Sequence, residues 1–386
     1  MGLPTPGARR PPSQATWWTA AAVIGLCLLF ALSVQRRPSA ATKQLHVQLA
    51  SSPSRLAVVP AVPFCTRDEA EAQAAKFQAA LSKEGLYTAC PAHKWLGMLP
   101  GLLEPGQEFV MLDIGCNKGY ESAGLFSVLD PGAGISPPAV YSQLEAVKEE
   151  LRLGETRGQC NDHLGVAAER SAQPPAEPGA VTVHCFEPSS NNFRGLQALH
   201  AKFFPTMPRS RSSWFLHNAA VTNFTGTVSF PAECNTELCS LGGDAGDPSQ
   251  KEAWTPIEAT TVDDFAAAKG LLAPSPSRAV LLKIDTEGFD PAVLTGARRL
   301  LSQQVPSVLL FEYHNKNAWA ETSLRAVALD LASSGYACYF DGAPTLTRIT
   351  GCWHDSLEIR NWSNVVCAAM GTKYHRLLES LSFMAQ

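Results

Sequence analysis

Four acidic residues in this sequence stand where apolar runs come to an end. They are Asp113, Glu187, Asp285 and Glu312. Apolar runs of four to eight residues bounded by turn signals predict buried strands. Ligands of open α/β sheets bind outside the carboxyl ends of the strands, at the point where the strand order reverses. One such acid alone could cap a helix or a turn, but four together favour a common site.

A glycine-containing turn follows the first apolar run, residues 109–112, and precedes a predicted helix. Glycine lets a backbone approach a ligand closely and leaves helix N–H groups pointing at it, although two glycines in such a turn can also serve packing. We expect Asp113 and the N–H groups around Gly115–Gly119 to hold the polar end of a nucleotide-like ligand. Glu187 is placed to accept hydrogen bonds from ribose hydroxyls. The turn lacks the Lys-Ser/Thr of a P-loop, and these residues leave a nicotinamide cofactor and S-adenosylmethionine both open.

Strands and helices alternate along the chain. Strands are predicted at residues 109–113, 180–186, 213–221, 227–230, 279–284, 307–311, 336–340 and 365–369. Helices are predicted at 66–83, 121–129, 140–153, 189–200, 291–301 and 322–333. This alternation predicts a Rossmann-like, doubly wound, mostly parallel α/β sheet. Residues 131–180 look inserted after the first βα unit, and a polar, cysteine-bearing loop runs to about residue 254.

Charge is distributed unevenly along the 386 residues. Of the 31 basic residues, seven lie in residues 1–67, which contain no acid, so 24 basic residues oppose 35 acidic ones in the remainder. Phosphate neutralisation by Lys and Arg supplies most of the affinity for nucleic acid. The acidic body therefore argues against a nucleic-acid substrate.

Residues 17–34 form an uncharged, mostly apolar run flanked by arginine pairs. The run is long enough to cross a bilayer as a transmembrane helix, and two tryptophans stand at its first boundary. An uncleaved signal-anchor is favoured, because the run exceeds the usual apolar core of a signal peptide. A cleaved signal peptide, which would give a secreted protein, and an organelle transit peptide are the alternatives.

Two features favour a body that faces the lumen of the Golgi or endoplasmic reticulum. Asn223 and Asn361 each begin a glycosylation sequon. Eleven cysteines are present, of which ten lie outside the apolar run, and such a number beside a secretory segment predicts several disulfides. Cys234 and Cys239 are close enough in sequence to bridge a loop. A cytosolic protein with free, buried cysteines is the alternative.

Several short motifs occur in the order that is found in the FkbM methyltransferase family. They are 113–119 (Asp-Ile-Gly-Cys-Asn-Lys-Gly), 186–188 (Phe-Glu-Pro), 218–221 (Asn-Ala-Ala-Val), 261–263 (Thr-Val-Asp), 283–289 (Lys-Ile-Asp-Thr-Glu-Gly-Phe) and 310–312 (Leu-Phe-Glu). The chain resembles an S-adenosylmethionine-dependent O-methyltransferase of that family over residues 109–314, with a family-like tail to about 370. The resemblance implies a cofactor site that includes Asn218 near the adenine. Its other members are Asp113, Gly115, Asn117, Gly119 and Glu187.

Methyl transfer to a hydroxyl needs an aligned acceptor and a base for the departing proton. We expect the base among five residues near the third and fourth acids. They are Lys283, Asp285, Glu287, Glu312 and His314. His314 has the pKa closest to neutrality, although it could equally pack or cap a loop, and Asp285 is the best placed by strand position. A divalent cation held by Asp285 and Glu312 is a lower-ranked alternative, and no metal ligand is assigned.

The predicted organisation is a tail (1–16), an anchor (17–35), a stem (36–64), a helical extension (65–105) and a methyltransferase domain (106–375). The predicted function is O-methylation of a hydroxyl, with a glycan in the secretory pathway as the leading acceptor. Methylation of a lipid or small metabolite at a membrane surface is one alternative. A luminal binding protein that keeps the fold without turnover is the other.

Overall fold

The computed structural model describes residues 64–84, 87–91, 93–158, 160, 177–206, 211–232, 234, 239–241, 254–342 and 345–383. The predicted anchor, and the stem up to residue 63, lie outside these residues. None of the helices in the described ranges combines the length and the apolar character that a bilayer span requires.

Eleven strands form two sheets among the described residues. In chain order they are β1 Glu108–Ile114, β2 Val181–Phe186, β3 Ser212–His217, β4 Ala220–Val221, β5 Gly226–Pro231, β6 Trp254–Thr260, β7 Arg278–Ile284, β8 Val308–Tyr313, β9 Tyr336–Phe340, β10 Thr347–Arg348 and β11 Ser363–Ala369. The large sheet has the order β10-β9-β11-β8-β7-β1-β2-β3. Neighbouring strands from β8 to β3 pair in parallel, whereas the pairs β8–β11, β11–β9 and β9–β10 are antiparallel. The predicted large, mostly parallel sheet of an α/β fold is confirmed.

Ten α-helices connect and cover these strands in the described part of the chain. They are α1 Arg67–Glu84, α2 Lys94–Met98, α3 Tyr120–Leu129, α4 Pro137–Leu151, α5 Ser190–Phe203, α6 Val262–Ala268, α7 Asp290–Thr295, α8 Arg298–Ser302, α9 Leu324–Ser333 and α10 Lys373–Ser380. The start of α1 is set by a reciprocal capping box. Thr66 N donates to Glu69 Oε2 at 2.7 Å, and Glu69 N donates to Thr66 Oγ1 at 3.3 Å.

Two apolar cores lie on opposite faces of the large sheet. Successive side chains of a strand point to opposite faces, and β1 shows the consequence. Phe109 and Met111 belong to one core, while Val110, Leu112 and Ile114 belong to the other. A strand buried on both faces has a continuous apolar sequence, which is why β1, β2 and β7 could be located before the structure was known.

The structure differs from the prediction at three elements. The predicted strand 213–221 is interrupted after His217, and its end becomes β4 of a second sheet, β4-β6-β5. The predicted helix 291–301 is broken into α7 and α8 at Gly296, where the backbone approaches Thr222 so closely that a Cβ would overlap its carbonyl oxygen. β6 was not predicted, since Pro256 disfavours a strand interior. Pro256 is tolerated because only the end of β6, Ala259 and Thr260, pairs with β4.

All ten cysteines of the described residues are paired. The disulfides are Cys65–Cys352, Cys90–Cys160, Cys116–Cys185, Cys234–Cys239 and Cys338–Cys367. The predicted bridge between Cys234 and Cys239 is confirmed. Three of the five disulfides involve segments that line the cavity described next.

Candidate functional site

A cavity of about 400 Å³ opens at the carboxyl ends of β1, β2, β7 and β8. β1 lies between β2 and β7, so the strand order reverses there, which is the switch point where α/β sheets bind ligands. Three of the four strand-end acids line this cavity, namely Glu187, Asp285 and Glu312. The structure therefore brings together acids that are separated by up to 125 positions in the sequence.

Asp113, the fourth acid, lies beneath the cavity and is fully buried. Lys283, in register with Asp113 on the neighbouring strand, places its Nζ 3.2 Å from Asp113 Oδ1. The same Nζ lies 3.4 Å from Asp285 Oδ2 and donates to Gly115 O at 3.0 Å. Ser122 Oγ donates to the other oxygen of Asp113 at 2.6 Å. The prediction that Asp113 holds the ligand directly thus needs correction, because its carboxylate instead fixes Lys283 and, through it, the glycine turn.

Lys283 is held in its charged form. Burial disfavours the ammonium, but the carboxylates of Asp113 and Asp285 outweigh burial and raise the pKa of Lys283. A lysine that stays protonated cannot accept a proton from a substrate. Lys283, predicted among the candidate bases, is therefore a structural cation.

Glu187 joins the glycine turn to the end of β2. Asn117 N donates to its Oε2 at 2.8 Å, and Ser189 N donates to its Oε1 at 2.8 Å. Burial raises the pKa of Glu187 to about 7, although both backbone hydrogen bonds favour the carboxylate. The side chain of Asn192 supplies a third hydrogen bond to this carboxylate, and a carboxylate has about four acceptor positions in all. This geometry suits the predicted contact with a pair of vicinal hydroxyls.

The other predicted cofactor residues differ in how they contribute. Gly115 and Asn117 line the cavity, and both have left-handed backbones with φ of 75° and 51°. Gly119 is the N-cap residue of α3 and does not line the cavity. A Cβ on Gly119 would lie 2.8 Å from the ring of Trp214. Asn218 does not line the cavity: it is exposed, and its Nδ2 donates to Glu187 O at 2.8 Å.

Apolar residues after Asn218 form that side of the cavity instead. They are Ala219, Ala220 and Val221, together with Phe186 and Phe230. The 218–221 motif therefore lines the cavity with Ala219, Ala220 and Val221, and not with Asn218. The polar role of Asn218 in this structure is to hold the backbone at Glu187.

Glu287, Glu312 and His314 form an acidic cluster at the ends of β7 and β8. Lys316 Nζ lies 3.1 Å from Glu287 Oε2, and Trp362 Nε1 donates to Glu312 Oε1. His314 Nε2 lies 3.2 Å from Glu312 Oε2. Burial, followed by the charges of Asp285 and Glu287, raises the pKa of Glu312 well above its ordinary value. Burial also raises the pKa of Glu287 to about 7.

The ring of His314 has a defined proton arrangement. Its Nδ1 accepts the backbone N–H of Lys316 at 3.0 Å, so in the neutral ring the proton resides on Nε2. Burial lowers the pKa of His314, which favours this neutral form. His314 therefore presents a donor towards Glu312 and has no free acceptor nitrogen.

Glu287, Glu312 and His314 also have ligand atoms within 4.8 Å of one another, a spacing that a metal ion could bridge. A histidine that binds metal normally donates its second ring N–H to an acceptor. His314 Nδ1 faces a backbone donor instead, and Lys316 already pairs with Glu287. These residues fit a hydrogen-bonded cluster, and they do not fit a metal site.

Sequence reasoning missed part of the cavity wall. Gly158 and Cys160 of the predicted insertion, Ser240 and Leu241 of the cysteine-bearing loop, and Trp362 line the cavity. Cys160 is tied to Cys90, and the Cys234–Cys239 bridge immediately precedes Ser240. In the sequence, only the cysteines indicated that these segments have a fixed position, because a disulfide fixes a loop that has no secondary structure of its own.

Stability should depend on pH through Glu187. Its folded-state pKa of about 7 exceeds the ordinary 4.5, so the folded protein binds more protons than the unfolded chain between these values. The free energy of unfolding should therefore fall by roughly 2–3 kcal/mol as pH rises from 4.5 through 7. Urea unfolding of wild type and Glu187→Gln at pH 5 and pH 8 measures this. An unchanged pH dependence in the variant would contradict the assignment.

Residues 169–338 match the family model for the methyltransferase FkbM domain. This match confirms the resemblance inferred from the motifs. It includes Glu187, Asn218 and the 283–289 and 310–312 segments, while the glycine turn at 113–119 precedes it. The chain thus carries a methyltransferase family signature across the strands that supply most of the cavity.

Solved structures also match the chain. A crystal structure of methyltransferase FkbM from Methylobacillus flagellatus KT is 16% identical with a TM-score of 0.38, and the match covers 78% of this chain and 58% of that one. This chain thus spans less than two thirds of that structure. A Legionella pneumophila protein is 9% identical with a TM-score of 0.30, covering 76% of this chain and 91% of the other. No curated protein matches this chain.

Proposed function

We propose that this chain, whose residues 169–338 match the FkbM methyltransferase family, transfers the methyl group of S-adenosylmethionine to a hydroxyl. The observation that carries the proposal is the position of Glu187. Its carboxylate ends β2 beside the switch point and is fixed by two backbone N–H groups, one of them from the glycine turn. A carboxylate in this position can accept both hydroxyls of a ribose.

The cavity offers two distinct halves to the reaction. Gly115, Asn117 and Glu187 line the side of β1 and β2, and we assign this side to the cofactor. Asp285, Glu312 and their neighbours line the side of β7 and β8, and we assign it to the acceptor. S-adenosylmethionine supplies an electrophilic methyl group on a cationic sulfur. The protein holds the acceptor oxygen in line with that group, since alignment is the main requirement of such a transfer.

A glycan acceptor is supported by the compartment that the chain indicates. Disulfides persist in oxidising compartments, and every cysteine of the described residues is paired. The asparagines of both sequons, Asn223 and Asn361, are exposed. A secretory location, with the body in the Golgi or endoplasmic reticulum lumen, would place glycans among the first hydroxyl-rich molecules that the cavity meets.

Calorimetry with S-adenosylmethionine tests the cofactor assignment. We expect wild type to bind it and Glu187→Gln to bind 10- to 100-fold more weakly, because hydrogen bonds to a charged acceptor contribute about 1.5–3 kcal/mol. Glu321→Gln is the matched control and should bind as wild type does, since Glu321 is exposed and does not line the cavity. Equal affinity of wild type and Glu187→Gln would contradict the assignment.

A second measurement tests the acceptor. Wild type is incubated with S-adenosylmethionine labelled in its methyl group and a mixture of cellular glycans, and glycan-bound label is expected. Cofactor binding without glycan label would favour a lipid or small-molecule hydroxyl. Absence of cofactor binding would favour a luminal binding protein without turnover.

A further inference from the structure

We propose that Glu312 is the catalytic base that takes the proton from the acceptor hydroxyl, and that Trp362 positions its carboxylate. This inference rests on the proposed methyl transfer and adds the residue that carries its proton. It differs from the expectation from sequence, which favoured His314 by its pKa and Asp285 by its position.

The two oxygens of Glu312 have different surroundings. Oε1 accepts the indole N–H of Trp362, which orients the carboxylate. Oε2 is buried, accepts no hydrogen bond and lies 3.2 Å from His314 Nε2. Glu312 also lines the cavity. The Glu312 side chain keeps 9% of its surface exposed where it lines the cavity, and a carboxylate oxygen has two acceptor positions, so the carboxylate can accept a substrate hydroxyl.

The other four predicted bases already contact other groups. Lys283 is a buried cation, and it pairs with Asp285 at 3.4 Å. Lys316 pairs with Glu287 at 3.1 Å. His314 receives a backbone N–H at Nδ1 and carries its proton on Nε2. Among the five predicted bases, Glu312 alone combines burial, a fixed orientation and an oxygen without a hydrogen bond.

The proton step balances with the methyl transfer. The acceptor O–H bond breaks and its proton passes to the Glu312 carboxylate. The electron pair of that bond forms the new bond from oxygen to the methyl carbon, and the pair of the broken carbon–sulfur bond stays on the cofactor sulfur. The protonated Glu312 then loses its proton to solvent through the open cavity.

The charges around Glu312 support its basicity. It is faced by Asp285 and Glu287 from the turn after β7, by Asp290 from α7, by the cation Lys283, and by His314 at 3.2 Å. Burial and the first two acids raise the pKa of Glu312. A raised pKa strengthens the carboxylate form as a proton acceptor, because the driving force for proton transfer grows with the pKa of the base.

Two matched variants test the assignment. Glu312→Gln keeps the acceptor for Trp362 and should lower the rate of glycan methylation by about 10²–10⁴-fold, with S-adenosylmethionine affinity within threefold of wild type. Glu321→Gln, at an exposed glutamate that does not line the cavity, should keep the wild-type rate. Glu312→Asp should recover part of the rate. A Glu312→Gln rate above a tenth of wild type, or a proportional loss of cofactor affinity, would overturn the proposal.

A further measurement needs no acceptor. In protein labelled with ¹³C at glutamate carboxyls, several resonances should titrate above the ordinary glutamate range, and one of them should be absent in Glu312→Gln but present in Glu287→Gln. If every such resonance survives in Glu312→Gln, Glu312 is not the base. Cofactor calorimetry on wild type reports separately on the proposed methyl transfer, so the two failures are distinguishable.

Discussion

A Lys283→Met protein is expected to lose about 3–5 kcal/mol of its free energy of unfolding, since removing one partner of a buried ion pair leaves the other charge uncompensated. Asp113 is fully buried, and Lys283 Nζ is the cation beside it at 3.2 Å. The substitution also removes the donor to Gly115 O. Denaturant unfolding followed by tryptophan fluorescence, without reductant so that the disulfides persist, measures the loss.

Two further variants separate this charge effect from lost packing. Lys283→Met combined with Asp113→Asn removes both charges and should regain part of the stability. Lys316→Met removes a lysine of the same cavity whose side chain is 48% exposed, and a pair of that kind contributes about 1 kcal/mol or less. A loss below 1 kcal/mol in Lys283→Met would contradict a stabilising buried ion pair between Lys283 and Asp113.

The central strands and the position of the site could be predicted from sequence because both follow from local patterns. β1, β2 and β7 are continuous apolar runs, as expected for strands covered on both faces. The acids that end these runs mark the carboxyl edge of the sheet. Glu187, Asp285 and Glu312 therefore meet in one cavity although the sequence separates them widely.

The roles of individual residues could not be predicted, because they depend on register and on contacts across the chain. Asp113 is opposite Lys283 only because β1 pairs with β7 in one register. Trp362 reaches Glu312 because β11 runs antiparallel to β8, with Asn364 opposite Glu312. No local pattern encodes either pairing. The same limit explains why Lys283 was predicted as a base and Asp113 as a ligand contact.

The side walls were missed for a different physical reason. The segments around Gly158 and Ser240 have no periodic apolar pattern and are fixed by disulfides. A cysteine pairing among ten residues cannot be deduced from spacing alone. The walls are also where this chain departs from the family motifs. We therefore expect substitutions there to change the choice of acceptor more than cofactor affinity.

Gly115→Ala is expected to lose at least 3 kcal/mol of stability and, in any folded fraction, measurable S-adenosylmethionine binding. A Cβ on Gly115 would overlap the carbonyl oxygen of Asp285 and lie 2.8 Å from its carbonyl carbon. Relief would require β7 to move away from β1, yet Asp285 N donates to Ile114 O at 2.9 Å across this junction. The clash would therefore push apart the carboxyl ends of β1 and β7, which carry the two halves of the cavity.

Gly106→Ala is the control that isolates this clash from backbone strain. Gly106 has a φ of 71° against 75° at Gly115, and a Cβ there would meet nothing within 4 Å. Both substitutions carry the cost of a left-handed alanine, about 1–2 kcal/mol, so their difference measures the overlap with Asp285. Unfolding and cofactor calorimetry on both variants provide the comparison. Equal losses of unfolding free energy in the two variants would mean that β1 and β7 can separate at their carboxyl ends without cost. The cavity between these strand ends would then have no fixed geometry for aligning an acceptor.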